Sequence, residues 1–193
     1  VSQKWSAVVS EEKDLALTLI NDCLYGSDFA DGEIRISLLR SPAHSADPAG
    51  ERPMLYQDRH IPRIDQGERV FHFWINGGKA GERLETIDRE ALTKNEKPYV
   101  LSYSPPGNGK KARPCLVLSD PAAQVTTLKK AEQGKDLIIR LFEPTGKART
   151  TEVALPFLRA KTTVSLKGFE IKTLRFHKKT REFEEVNLLE EPV

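Results

Sequence analysis

The stretch DLIIRLFEPTGKARTTEVALPFL, residues 136–158, holds two apolar segments joined by a turn. Leu137, Ile139 and Leu141 fall on one side of the first segment, because successive side chains of a strand point to opposite faces. Pro144-Thr145-Gly146-Lys147 then turns the chain, proline fixing φ and glycine tolerating positive values. The second run, TTEVALPFL, follows at 150–158. Outward from this pair the same rhythm repeats, and the spacing predicts strands at 115–119, 124–131, 135–143, 149–157, 162–167 and 169–176. Six short strands so spaced predict a small antiparallel β-sandwich.

Upstream, SPPGNGKKARP at 104–114 has nothing to bury and reads as a linker. It divides the chain into residues 1–104 and 113–193. In the first part, Leu15, Leu17 and Leu19 alternate with Ala16 and Thr18, a period-2 strand. Asp31-Gly32 is a hairpin signal leading into a strand through Ile34, Ile36 and Leu38, which ends at Arg40-Ser41-Pro42. Residues 41–66 carry four prolines and read as a long loop. ERVFHFWIN, residues 68–76, places Arg69, Phe71, Phe73 and Ile75 on one face and Val70, His72 and Trp74 on the other. Apolar residues on both faces predict a central strand covered on both sides. Leu84, Ile87, Ala91 and Leu92 fit helical spacing, so one short helix is expected from about Glu85 to Lys94, an excursion from the sheet. YVLSY at 99–103 reads as a further strand. The fold class that results is all-β with one short helix.

The chain has 193 residues, 38% hydrophobic and 30% charged, with a formal net charge of +2. That composition fits a folded domain rather than a disordered one. No run approaches the roughly 18 apolar residues of a membrane helix. Basic residues are interspersed with acidic ones and form no stripe, which argues against nucleic acid as a partner. Cys23 and Cys115 are far apart and outside any C-x-x-C pair, so both read as buried thiols of a reducing compartment. The opening Val-Ser-Gln-Lys-Trp carries neither an initiator Met nor a signal-peptide pattern, and the chain reads as a piece of a longer protein.

Motifs that carry chemistry are scarce. His44, His60, His72 and His177 form no H-x-D, H-x-H or H-E-x-x-H pattern, so no catalytic metal set is assigned to this chain. There is no G-x-S-x-G elbow. GNGKK lacks the preceding glycine and the Ser or Thr of a phosphate loop. Asp65, in IDQGER, is a candidate because a carboxylate beside a glycine can approach a ligand closely, though it also suits a plain polar turn. Trp5 and Trp74 are aromatic enough to stack on a sugar, but Trp74 lies in an apolar strand, where core packing accounts for it.

Several stretches resemble the C-terminal region of class II α-mannosidases, glycoside hydrolase family 38. They are LALTLINDCLYGSD, GEIRISLLRSP, DQGERVFHFWI, LKKAEQGKDLIIRLFEPTGKA and GFEIKTLRF, and they follow one another in the family's order from about residue 3 to 176. The likeness is nearest to the cytosolic and bacterial branch, which implies a cytoplasmic location. One departure is Arg69, where the family usually has His, so no role is carried to that position. The resemblance implies the later part of a large β-supersandwich at 1–104 and a small C-terminal β-sandwich at 113–193. It also implies that the catalytic zinc and the nucleophilic Asp belong to upstream domains, with no cofactor in this chain. The intact enzyme of that family carries out retaining hydrolysis of α-mannosides through a covalent glycosyl-enzyme.

Under this resemblance the chain is a non-catalytic C-terminal fragment, inactive alone. Its partners are the upstream catalytic domain of the same polypeptide and mannose-containing glycans, with homo-oligomerisation open and no nucleic acid or membrane. Arg40, with Asp22 and Asp65, is the substrate-binding candidate, since a guanidinium at a strand rim can donate several hydrogen bonds to sugar hydroxyls. The competing reading is that Arg40 pairs with Asp22 or Asp65 and orders the 41–66 loop. The alternative function is a stand-alone carbohydrate-binding β-sandwich module.

Overall fold

The computed structural model describes residues 2–42, 63–102, 104 and 113–193. Most of the 41–66 loop and of the 104–114 linker therefore lies outside the described residues, as do His44, His60 and GNGKK.

The described chain is mostly antiparallel sheet with one helix, as the alternation predicts. Six strands of the C-terminal half fall close to their expected positions. They are β6 (Val117–Leu118), β7 (Gln124–Lys130), β8 (Leu137–Phe142), β9 (Arg149–Leu155), β10 (Ala160–Leu166) and β11 (Ile171–His177). A seventh, β12 (Glu182–Val186), was not expected from the sequence. Two sheets result, ordered β10-β9-β6 and β12-β11-β8-β7. The turn after β8 thus does not close a hairpin; it carries the chain from one sheet to the other. Ile139 and Leu141 point into a shared core with Val153, Leu155, Val164, Leu166, Leu174 and Phe176, and Leu137 packs against it. The apolar face read from the sequence lines this core, and Ile138 on the opposite face of β8 is fully buried as well.

The N-terminal half contains β1 (Trp5–Ser10), β2 (Leu15–Asn21), β3 (Ser27–Ala30), β4 (Glu33–Ile36), β5 (Phe73–Lys79) and the helix α1 (Ala80–Asn95). β3 and β4 form a two-residue hairpin at Asp31-Gly32, whose φ values of 55° and 78° are both positive. Two positive φ values at the turn centre match the right-handed twist of the flanking strands. β1, β2 and β5 make a three-stranded sheet in that order.

Four readings need correction. The 68–76 strand runs instead from Phe73 through Gly77-Gly78 to Lys79, and it is an edge strand with one covered face, not a central one. α1 has 16 residues and is a core element: Ile87 and Ala91 are fully buried against Ile20, with Trp5 and Trp74 alongside. YVLSY is not a strand among the described residues, and Tyr99, Val100 and Leu101 are exposed because no strand pairs with them. Cys23 and Cys115 are exposed, not buried; Cys23 sits at a turn with φ 62°, which overrides the thiol's preference for the interior. α1 stops at Asn95, and Pro98 two residues past the cap favours extended backbone just before it.

Candidate functional site

β4 ends at Ile36, four residues before Arg40, so the guanidinium belongs to the loop and not to the strand rim. The two ends of the long loop are clasped together. Ser41 Oγ donates to the Ile64 carbonyl at 2.5 Å, Ile64 N–H donates to the Pro42 carbonyl at 3.0 Å, and Gln66 Nε2 donates to Ser41 Oγ at 2.7 Å. Arg40 and Asp65 flank this clasp, each next to one of its bonded residues. Asp65 has φ 56° and accepts from Arg69 at 3.4 Å. That contact occupies Arg69, the residue at which the sequence departs from the family pattern.

Asp22 lies elsewhere, at the end of β2. It faces His72 Nδ1 at 3.6 Å and accepts from Cys23 Sγ at 3.4 Å. The Asp22 carboxylate pushes the Cys23 thiol pKa up, through the hydrogen bond first and its charge second. Among the described residues no hydrogen bond or ion pair joins Arg40 to Asp22 or to Asp65. The structure therefore brings Arg40 and Asp65 to one clasp and places Asp22 in a separate pair with His72.

The second polar centre was not read from the sequence, and it lies where α1 meets the sandwich. Glu85, Asp88 and Arg89 form one stripe of the helix, at i, i+3 and i+4 spacing. Arg149 Nη2 contacts Glu85 Oε1 at 2.5 Å, and Lys147 Nζ contacts Glu85 Oε2 at 3.3 Å. Arg89 donates to the Ala123 carbonyl at 3.3 Å. Asp88 accepts from the indole N–H of Trp5 at 2.8 Å and from the Gln124 side-chain amide. Beside this junction is a cleft of about 390 Å³ lined by Lys4, Trp5, Asp88, Glu96, Gln124 and Phe142. Trp5 and Trp74 are half-buried and pack against the same small core, with Trp5 also lining the cleft.

Behind the junction, at the corner between the sheets, Glu143 is wholly buried. It accepts from Arg149 Nε at 2.7 Å, from the Thr145 hydroxyl at 2.5 Å, and from the backbone N–H groups of Thr145 at 3.0 Å, Gly146 at 2.7 Å and Phe169 at 3.1 Å. Burial opposes its ionisation, but the donors from Thr145, Arg149 and the backbone outweigh it and hold its carboxyl at about 2. Arg149 is likewise disfavoured by burial and yet raised, because Glu143 and Glu85 stabilise its charge. Glu85 is lowered against its own desolvation by Arg149 and Lys147. Glu143 and Arg149 are met by partners within the chain, and through Glu85 they tie the helix to the sandwich.

Among the described residues no group of three or more His, Cys, Asp or Glu side chains is placed to hold a metal ion. His177 illustrates why: its two ring nitrogens are already engaged, one by Asp136 at 3.1 Å and the other by Glu184 at 2.8 Å. No zinc step is assigned to these residues. No described helix is long and apolar enough to cross a membrane.

Residues 122–193 match the family described as "Glycosyl hydrolases family 38 C-terminal beta sandwich domain". The matched span begins just before β7 and covers the four-stranded sheet together with β9 and β10. The chain is also 25% identical over 201 residues to "Alpha-mannosidase G" of Dictyostelium discoideum, an alignment that takes in 91% of this chain and 17% of that relative. Over nearly all its length, then, the chain is similar to a small part of an α-mannosidase, and it spans 17% of the curated relative it matches.

Proposed function

We propose that this chain is the C-terminal, non-catalytic portion of a family 38 α-mannosidase. In that role residues 1–104 and 113–193 support an upstream catalytic domain of the same polypeptide, and Arg40 lines its substrate cleft. The observation that carries this reading is the coverage: 91% of this chain aligns with 17% of a mannosidase, and residues 122–193 match the family 38 C-terminal sandwich domain. The fold is in keeping with it: the buried Glu143 and its partner Arg149 are held by groups of this chain. The proposal includes the cytosolic and bacterial type of enzyme, mannose-containing glycans as substrates, and a zinc ion held outside this chain.

The role of Arg40 is tested in the longer polypeptide. Arg40→Ala lowers kcat/KM for an α-mannoside by roughly ten- to a hundred-fold, the worth of a charged hydrogen-bond donor at about 1.5–3 kcal/mol. The melting temperature stays unchanged, since Arg40 is exposed. Arg40→Lys restores little, because an ammonium lacks the planar fork of the guanidinium. Unchanged kinetics with a lowered melting temperature assign Arg40 to ordering the loop and remove it from the cleft.

A further inference from the structure

We infer that the cleft between the C-terminal half of α1, the start of β1 and the edge strand β7 is an accessory site that holds one pyranose unit of a neutral sugar without reacting with it. The site stands apart from the role proposed above. Arg40, Asp22 and Asp65 are not among its lining residues, and support of a catalytic domain requires no sugar site within this chain. The cleft measures about 390 Å³, within the ~300–1,000 Å³ of small-molecule sites.

Its walls are of two kinds. Trp5, Leu92 and Phe142 are half-buried and supply apolar surface. Around them stand groups with hydrogen-bonding capacity to spare. Gln124 is only 7% exposed and donates a side-chain N–H to Asp88. A carboxylate only accepts, so the amide nitrogen faces Asp88 and the amide oxygen is directed away from it. That oxygen makes no hydrogen bond among the described residues, and it is not sealed from solvent. An open acceptor on so buried a residue reaches solvent through the cleft the residue lines. Asp88 has taken one donor on each oxygen, from Trp5 and from Gln124, and each oxygen can accept another. At the mouth, Lys4 Nζ donates to Glu96 Oε1 at 2.7 Å, which leaves two ammonium N–H groups and the second carboxylate oxygen. Thr126 completes the rim. β7 pairs Val125 with Leu141 and Thr127 with Arg140, so Thr126 is an extra residue in the ladder. Such a bulge bends the strand and re-aims a side chain, a device common beside binding sites.

Charge and donor pattern select the ligand. The lining holds two carboxylates, Asp88 and Glu96, and one ammonium, Lys4. No positive charge is in excess, so a phosphate or sulfate is disfavoured. Both carboxylates already have donors, so an organic cation meets no free charge. What fits is a neutral ring with polar groups that both donate and accept. A hydroxyl does both: it can give to the Gln124 oxygen or to Asp88 and receive from Lys4. A pyranose carries a girdle of such hydroxyls and an apolar C–H face for the aromatic wall, where an amphipathic ring partner is well matched.

The test titrates the 193-residue chain with methyl α-mannoside and methyl α-glucoside and follows its amides by two-dimensional NMR. A ligand of about a dozen non-hydrogen atoms gives a Kd on the order of 1–10 mM. The amides of Trp5, Gln124 and Thr126 and the indole N–H of Trp5 shift and saturate with at least one glycoside, while those of Phe29 and Arg35 in the β3–β4 hairpin stay in place. Gln124→Leu raises Kd by roughly five-fold or more. The double change Lys4→Ala, Glu96→Ala at the open mouth keeps the melting temperature within a few degrees and raises Kd by roughly three-fold, so it decides the matter where Gln124→Leu does not fold. Phe157→Ala, at an exposed ring of the sandwich, binds as wild type. No saturable shift at roughly ten times the expected Kd, shifts confined to other residues, or wild-type affinity in both cleft variants overturns the site. Glycerol, inorganic phosphate or adenosine binding as tightly as the glycosides overturns the ligand class. Binding in the cleft by a chain whose joined form hydrolyses no α-mannoside upholds the site and removes the mannosidase reading. Hydrolysis by the joined polypeptide with no binding here overturns the site and leaves that reading standing.

Discussion

Replacing Glu143 by Gln removes one buried charge with almost no change of shape. The carboxylate has five donors around it and no solvent contact. The neutral amide keeps one acceptor oxygen and turns an NH₂ toward groups that are themselves donors. A carboxyl held at about 2 instead of 4.5 corresponds to about 3 kcal/mol, at about 1.4 kcal/mol per pKa unit. For a chain of this length that loss lowers the melting temperature by roughly 6–12 °C. The pH dependence gives the sharper test. The folded-state pKa lies below the unfolded one, so the unfolded chain binds the extra proton between them. The stabilisation is therefore complete above about pH 4.5 and fades as the pH falls toward 2. Urea unfolding of wild type and Glu143→Gln at a series of pH values shows a gap of about 3 kcal/mol at pH 7 that closes through this window. Other lowered carboxylates, Asp136 and Glu190 among them, act equally on both proteins and cancel in the difference. A gap below about 1 kcal/mol at pH 7, or one that stays constant down to pH 2, refutes the assignment of Glu143 as the anchor of the inter-sheet corner.

Two further outcomes concern the sandwich. Leu141→Ala empties space at the centre of its core, where the side chain has no solvent contact, and costs about 2–5 kcal/mol by urea unfolding. Gly146→Ala adds a Cβ 2.7 Å from the Phe169 ring at a residue with φ 79°, and costs about 1–3 kcal/mol. Adding Phe169→Ala, at an exposed ring, returns the clash part of that loss and leaves the backbone part, which a double-mutant cycle separates.

The sandwich was legible because its strands alternate, and alternation is the direct imprint of a one-faced core. Ile139 and Leu141 sit where the period puts them. β12 escaped notice because EFEEV carries three carboxylates and little apolar signal, and it is held as a strand by its ladder with β11. The reach of α1 was under-read for a similar reason: Ala80, Gly81 and Glu82 add nothing to the apolar stripe, though they complete the first turn. The helix–sandwich junction had a signal in Glu85, Asp88 and Arg89, but helical spacing alone cannot say that the stripe faces Arg149 and Gln124 instead of water. The outer leucines of β2 show the opposite limit. Period 2 places Leu15, Leu17 and Leu19 on one face, and only the structure reveals that Leu15 and Leu17 are exposed among the described residues while Ala16, Thr18 and Ile20 form the buried face. Arg40 and Asp65 flank a clasp made by Ser41, Pro42, Ile64 and Gln66 between distant loop ends, a long-range closure with no local sequence mark. Asp22 is drawn away to His72 by the pairing of β2 with β5.

The central claim is that this chain serves a mannosidase without containing its chemistry. The most direct measurement is hydrolysis of a chromogenic α-mannoside by the purified 193-residue chain, with and without added zinc, beside the same chain joined to the polypeptide encoded before it. The account predicts turnover by the joined polypeptide alone. Turnover by the isolated chain, scaling with its concentration above a heat-killed control, or none by the joined polypeptide, contradicts it.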